Sequence, residues 1–203
     1  MLERIMGVLR LNVATFEEIE HDESATTQAV MIVAVVAVLS AIGAYLGAQA
    51  MGSAMESLGD LGAAQGDLPF DPSILTGAAA NLSPIGAAFN GLIGVFIAWL
   101  LWSGLTYLIG VNAFGGKATY GEMLRVIGFS YVPQVLSVFN FIPCIGPLIG
   151  LVGAIWSLVC GFIGIRQGLD LDNGKTALTV VISWLIALVV NLCVLGPVFA
   201  MFM

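Results

Sequence analysis

Val30-Met31-Ile32-Val33-Ala34-Val35-Val36-Ala37-Val38-Leu39 is an unbroken apolar run, and the longer stretch around it, Ala25 to Ala50, carries no charged residue. A helix of that length covers the roughly 30 Å hydrocarbon core of a bilayer, whereas a surface helix of a soluble domain keeps a polar face. The stretch therefore predicts a membrane span. Ala48-Gln49-Ala50 has the small-residue pattern of a signal-peptidase site, but the apolar run exceeds the roughly 7–15 residues of a signal segment, so the span is expected to be retained.

The rest of the chain has the same character. Of its 203 residues 59% are hydrophobic and 9% are charged, with a mean hydropathy of +1.02; an ordinary soluble domain is about 25% charged. Further spans are predicted at about 85–110, 120–141, 147–165 and 176–202. Ser83-Pro84 starts one of them, because proline in a first turn surrenders a hydrogen bond the helix could not make. Thr119-Tyr120-Gly121-Glu122 has the T-x-x-E spacing of a capping box and starts another, with Pro133 expected to bend it. Asp172-Asn173-Gly174 marks a turn before the last. The predicted fold class is all-α, a polytopic transmembrane helix bundle of about five spans with an N-terminal amphipathic helix. Residues 1–24 form the amphipathic segment and 25–203 the five-span domain, with one long external loop at 51–84.

Leu2, Ile5, Met6, Leu9, Val13 and Phe16 recur at spacings of three and four in that first segment, one face of a helix. Glu17, Glu18, Glu20, Asp22 and Glu23 follow. Such a helix lies on the membrane surface or packs on protein; the acidic polar face departs from the Lys-rich pattern of lipid binding. Orientation follows from the six basic residues. If the spans alternate, Arg4, Arg10, Lys117, Arg125, Arg166 and Lys175 all fall on one side. Lysine and arginine in short loops collect in the cytoplasm. The protein is thus expected in the cytoplasmic membrane with its amino terminus inside and its carboxyl terminus outside.

A charge within hydrocarbon would point to a transport path, and the spans hold almost none. Arg125, one turn inside span three, is expected to extend to the interface and pair with Glu122 at i−3. Ser130, Gln134 and Ser137 follow an i, i+4, i+7 pattern that makes a polar stripe, extended by Asn140. The stripe serves interhelical hydrogen bonds or, with Arg125, lines a candidate polar groove. Small residues four apart, Gly43 and Gly47, Gly146 and Gly150, Gly164 and Gly168, suit close helix packing.

Catalytic and metal chemistry find no residues to use. Cys144, Cys160 and Cys193 are far apart and remote from His21, so neither a metal nor a redox pair is expected. Asp170 and Asp172 lack a third oxygen-rich neighbour and read as a solvated turn rather than a cation site. No nucleophile lies with a base, no glycine loop suits a phosphate and no basic stripe suits nucleic acid. No cofactor and no enzymatic activity are expected.

Phe114-Gly115-Gly116-Lys117-Ala118-Thr119-Tyr120, leading into Leu124-Arg125-Val126-Ile127-Gly128-Phe129-Ser130-Tyr131-Val132-Pro133, and the earlier Thr15-Phe16-Glu17-Glu18-Ile19, resemble prokaryotic members of the Yip-domain family, named for Ypt/Rab-interacting proteins. The resemblance covers nearly the whole chain and implies five spans with a cytoplasmic amino terminus. Eukaryotic members bind prenylated small GTPases, but the Asp-Leu-Tyr-Gly-Pro signature associated with many of them is absent here, and GTPase binding is not carried over. The expected function is a non-catalytic scaffold or accessory subunit, with membrane lipids and other integral membrane proteins, or a second copy, as partners. The alternative is a small permease or lipid-handling protein using the stripe of span three.

Overall fold

The computed structural model describes residues 1–65, 83–143 and 145–195, and among them every regular element is helical. Two short helices, α1 (Leu2–Leu9) and α2 (Val13–His21), precede the long α3 (Ala25–Gln65). Then come α4 (Pro84–Phe114), α5 (Tyr120–Ser130), a 3-10 helix (Val132–Phe141), α6 (Gly146–Gly168) and α7 (Asn173–Val190), which runs into a π-helical turn, Asn191–Leu195. Helices are what a lipid-dissolved chain must form, since each satisfies its own backbone where no water can.

Their ends are written locally. Ser83 accepts a hydrogen bond from the Gly86 N–H ahead of α4, and Gly115, at φ 73°, ends that helix in the left-handed region that favours glycine. Thr119 and Glu122 form the capping box of α5. Asp172 caps α7 by accepting from the N–H groups of Gly174 and Lys175.

Among the described residues, four helices can cross a bilayer by length and composition: Ala25–Ala54 within α3, Pro84–Phe114, Gly146–Gly168 and Asn173–Cys193. The chain is an integral membrane protein built as a helical bundle.

Two expectations are corrected. The loop predicted at 51–84 does not begin at residue 51, because α3 continues as helix to Gln65. Met51 to Gln65 holds no proline, and its Ala, Met, Leu, Glu and Gln residues favour helix enough to extend an existing one through Gly52, Gly59 and Gly62. The remainder of that loop, 66–82, lies outside the described residues, as do Cys144 and the end of the last predicted span.

The second correction concerns span three, which is broken rather than bent. Pro133 has no N–H to offer the carbonyl of Phe129, and after Ser130 the chain tightens into the 3-10 helix. The broken element still runs alongside α3 through most of the bundle's depth. Arg125 meets Thr26 near one end, and Gly47 faces Phe141 at the other. From Thr26 to Gly47 a helix rises about 32 Å, enough to cross the hydrocarbon.

The amino-terminal segment is a helical hairpin, turning at Leu11 with φ 58°. Of the two readings, packing on protein is the observed one. Val8, Phe16 and Ile19 are fully buried, with Phe16 against Gly164 of α6. Arg4 ties the hairpin together through ion pairs to Glu18 and Asp22.

The core lies at this end. The Lys117 N–H donates to the Leu169 carbonyl, joining the α4–α5 turn to the α6–α7 turn. Gly168 packs on Met123, and Gly110 on Leu169. This basic end gathers the amino-terminal hairpin and both turns around Met123, Val126, Ile165 and Leu169, all fully buried.

Candidate functional site

A cavity of about 660 Å³ lies between α4, the broken element, α6 and α7. Its walls are mostly apolar, with Leu101, Trp102, Leu151, Leu158 and Trp184 among them, and among the described residues no charged side chain lines it. Polar groups enter from Asn90, Gln134, Ser157, Asn191 and Tyr131. Ser157 is buried and central: its hydroxyl donates to the Ser130 carbonyl at 2.6 Å and accepts from Gln134 Nε2 at 3.1 Å. Proline at 133 explains that geometry. Where the α-helix fails after Ser130, a freed main-chain carbonyl becomes available to a side chain of the neighbouring helix.

The candidate stripe does not share one surface. Gln134 lines the cavity, while Ser130 stands behind it, its carbonyl accepting from Ser157 and its hydroxyl donating within α5 to the Val126 carbonyl at 2.8 Å. Ser137 turns toward α3, where its hydroxyl lies 3.0 Å from that of Ser40. Asn140 packs on Gly146 and Gly150.

Arg125 does not extend to the interface or pair with Glu122, whose carboxylate is held by the Thr119 N–H. It is only 8% exposed, and its guanidinium donates through Nε and Nη2 to the Glu20 carbonyl and through Nη1 to Thr26. The reason is the hairpin: α2 places the Glu20 carbonyl of its last turn over α5, where a fixed fork of donors satisfies it. Arg125 thus clamps the amino-terminal segment, away from the cavity. Burial pushes the Glu20 carboxyl above its ordinary range. Asp22 is held down to about 2 by hydrogen bonds from Ser24 and Arg4.

The paired glycines all make contacts within the chain. Gly43 faces the backbone of Ser137 and Val138, Gly47 faces Phe141, and Gly164 faces Val126 and Phe16. A Cβ on Gly146 would run into the backbone of Phe139 and Asn140, and one on Gly168 into Met123. Three of the four tryptophans make contacts within the bundle, and Trp184 is more than half exposed. Trp99 donates to the Leu124 carbonyl and Trp156 to that of Leu9, while Trp102 reaches Gly161. Among the described residues no group of three or more His, Cys, Asp or Glu could hold a metal.

The sequence model of the Yip1 domain matches residues 6–194, almost the entire chain. The protein belongs to the Yip1 family. No curated protein and no solved structure matches it. The Yip1 match takes in α2, Arg125 and every residue named above as lining the cavity. Family membership accords with a multi-pass membrane protein, and the family is not known for enzymatic activity.

Sequence reasoning identified Gln134 but missed Asn90, Ser157 and Asn191 as its companions. A signal existed, since a carboxamide inside an apolar span demands a partner. Which carboxamides meet depends on how the helices are rotated, and that is not written in any one span.

Proposed function

We propose that this Yip1-domain protein is a non-catalytic scaffold or accessory subunit of the cytoplasmic membrane, with its basic end inside and its carboxyl end outside. Orientation rests on the collection of all six basic residues at one end of the alternating spans. The observation that carries the scaffold reading is α7. Its buried residues are Thr176, Thr179, Val180 and Ser183, none lies beyond Ser183, and it packs mainly on α4. Leu185, Leu188, Val189 and Leu192 are left between 41% and 66% exposed. Most of one membrane helix is thereby free for a neighbouring helix, while the small-residue faces that usually join helices are already occupied within the bundle. Integral membrane partners fit this surface better than small GTPases, given the absent Asp-Leu-Tyr-Gly-Pro signature.

Tagged protein at native expression, extracted in mild detergent, should copurify with an integral membrane partner at fixed stoichiometry, and Leu188→Trp should weaken that recovery. A lone monomer under these conditions overturns the reading. A permease using span three is less well supported, because Ser137 and Arg125 turn away from the surface that Gln134 shares.

A further inference from the structure

The cavity has features that a scaffold does not require. Its placement follows from the splay of two helices. The buried positions of α4 that fall in its second half, Ser103, Thr106 and Gly110, and those of α7, Thr176, Thr179 and Ser183, all lie toward the basic end. Beyond them Asn90 and Gly94 on α4, and Ala187 and Asn191 on α7, form two walls of an open space with Gln134 and Ser157 between them. The rim on the α6 and α7 side is open: Leu151, Ile155 and Trp184 are 55%, 53% and 56% exposed. Access is therefore sideways, from the bilayer.

Its chemistry is selective. Gln134 spends one N–H on Ser157, and among the described residues its carbonyl oxygen and second N–H are uncommitted. Unpaired amide groups away from water cost free energy until a donor and an acceptor are supplied. Asn90 and Asn191 bring two more carboxamides to the same space, and among the described residues no charged side chain is present there to balance an ion. A charged headgroup drawn to this depth would lose hydration with no counter-charge. A volume of about 660 Å³ falls in the roughly 300–1,000 Å³ range of ligand sites.

We propose that this cavity binds one uncharged membrane lipid, a glycerolipid bearing ester carbonyls and a free hydroxyl, admitted between α6 and α7. The ester carbonyl and hydroxyl meet the Gln134 amide, and the acyl chains lie along Leu101, Leu151 and Leu158. Charged phospholipids of the same chain length are excluded from the depth of Gln134 and occupy only the outer surface.

Full-length protein in lipid nanodiscs, exposed to photoactivatable diacylglycerol or to photoactivatable phosphatidylglycerol with identical acyl chains, tests this by mapping the labelled peptides. Diacylglycerol should label α6 and α7 peptides at the cavity in preference to phosphatidylglycerol. Gln134→Leu should cut that labelling about fivefold, as losing one ordinary hydrogen bond does. Ala154→Phe, on an exposed stretch of the wall, should abolish it by filling the space, while labelling of the outward Val35 and Val38 stays unchanged. Equal labelling of the cavity by both probes, or labelling that survives Ala154→Phe, overturns the proposal. Should Gln134→Leu fail to fold, the probe comparison and Ala154→Phe decide it alone.

Discussion

At the basic end Phe16, Ile19, Met123, Val126 and Ile165 are fully buried, whereas toward the opposite end Leu151, Trp184 and Leu192 are each more than half exposed. One bundle thus holds a closed region and an open one. The closed region is made by the amino-terminal hairpin, which covers the ends of α5 and α6 and is pinned by Arg125 and by the Arg4 ion pairs. Nothing equivalent covers the open region among the described residues, and there a broken helix leaves amide groups facing a cavity. Stability is concentrated where the hairpin docks, and binding capacity where packing stops.

Substitutions can break this contrast. The largest effect is expected from Phe16→Ala, which removes a fully buried ring from the hairpin's contact with Gly164 and Val126. It should cost on the order of 3–5 kcal/mol, read from unfolding in micelles. A loss below about 1 kcal/mol would show that the hairpin is an accessory to the bundle rather than part of its core.

Arg125→Ala should come next, at about 2–3 kcal/mol, since it strands the buried Glu20 carbonyl. Arg125→Lys should recover only part of that, because a single ammonium cannot reproduce the fork. Protection of α2 amides from hydrogen exchange should fall in the same order, wild type, Lys, Ala. Gly146→Ala, where the new Cβ meets the backbone of Phe139 and Asn140, is expected to cost about 1–3 kcal/mol by overpacking. It would also show whether the turn after the broken helix tolerates displacement.

Acid sharpens the contrast further. Asp22 has its pKa lowered to about 2 by Ser24 and Arg4, so its contribution to the hairpin is fully present above the ordinary aspartate range near 4. It is lost as pH falls through about 2. Glu20, raised by burial, works in the opposite sense, its charged form opposing the folded state as pH rises above the ordinary glutamate range. Fluorescence of Trp156, whose indole donates to Leu9 in the hairpin, should therefore stay constant down to about pH 4 and change below it. The smallest effect is expected in the open region: Trp184→Ala should alter stability by no more than about 0.5 kcal/mol, as substitutions outside packed contacts do.

Much of the architecture was legible because each span satisfies its own backbone and so leaves a self-contained apolar run. The Thr119–Glu122 box, the Ser83-Pro84 start and the Asp172 cap were readable for the same reason, being interactions over two or three residues. The break at Pro133 was half legible. Proline guarantees a lost hydrogen bond, but whether the helix bends or changes type depends on what lies beside it, here α3 and α6. The continuation of α3 to Gln65 was hidden by a glycine-rich composition that resembles a loop and yet interrupts nothing.

What the sequence alone determined is a helical membrane bundle, the apolar runs of its four long helices and the segregation of its six basic residues along the chain, all set by hydrophobic run length and short-range capping. Only the tertiary structure decided that Arg125 clamps the hairpin, that Gln134 parts company with Ser137, and that Asn90, Gln134 and Asn191 surround one space. Those outcomes depend on the rotation and crossing of helices. Rotation is fixed by contacts between residues more than a hundred positions apart, such as Arg125 with Glu20 and Cys160 with Val8, which no local pattern encodes.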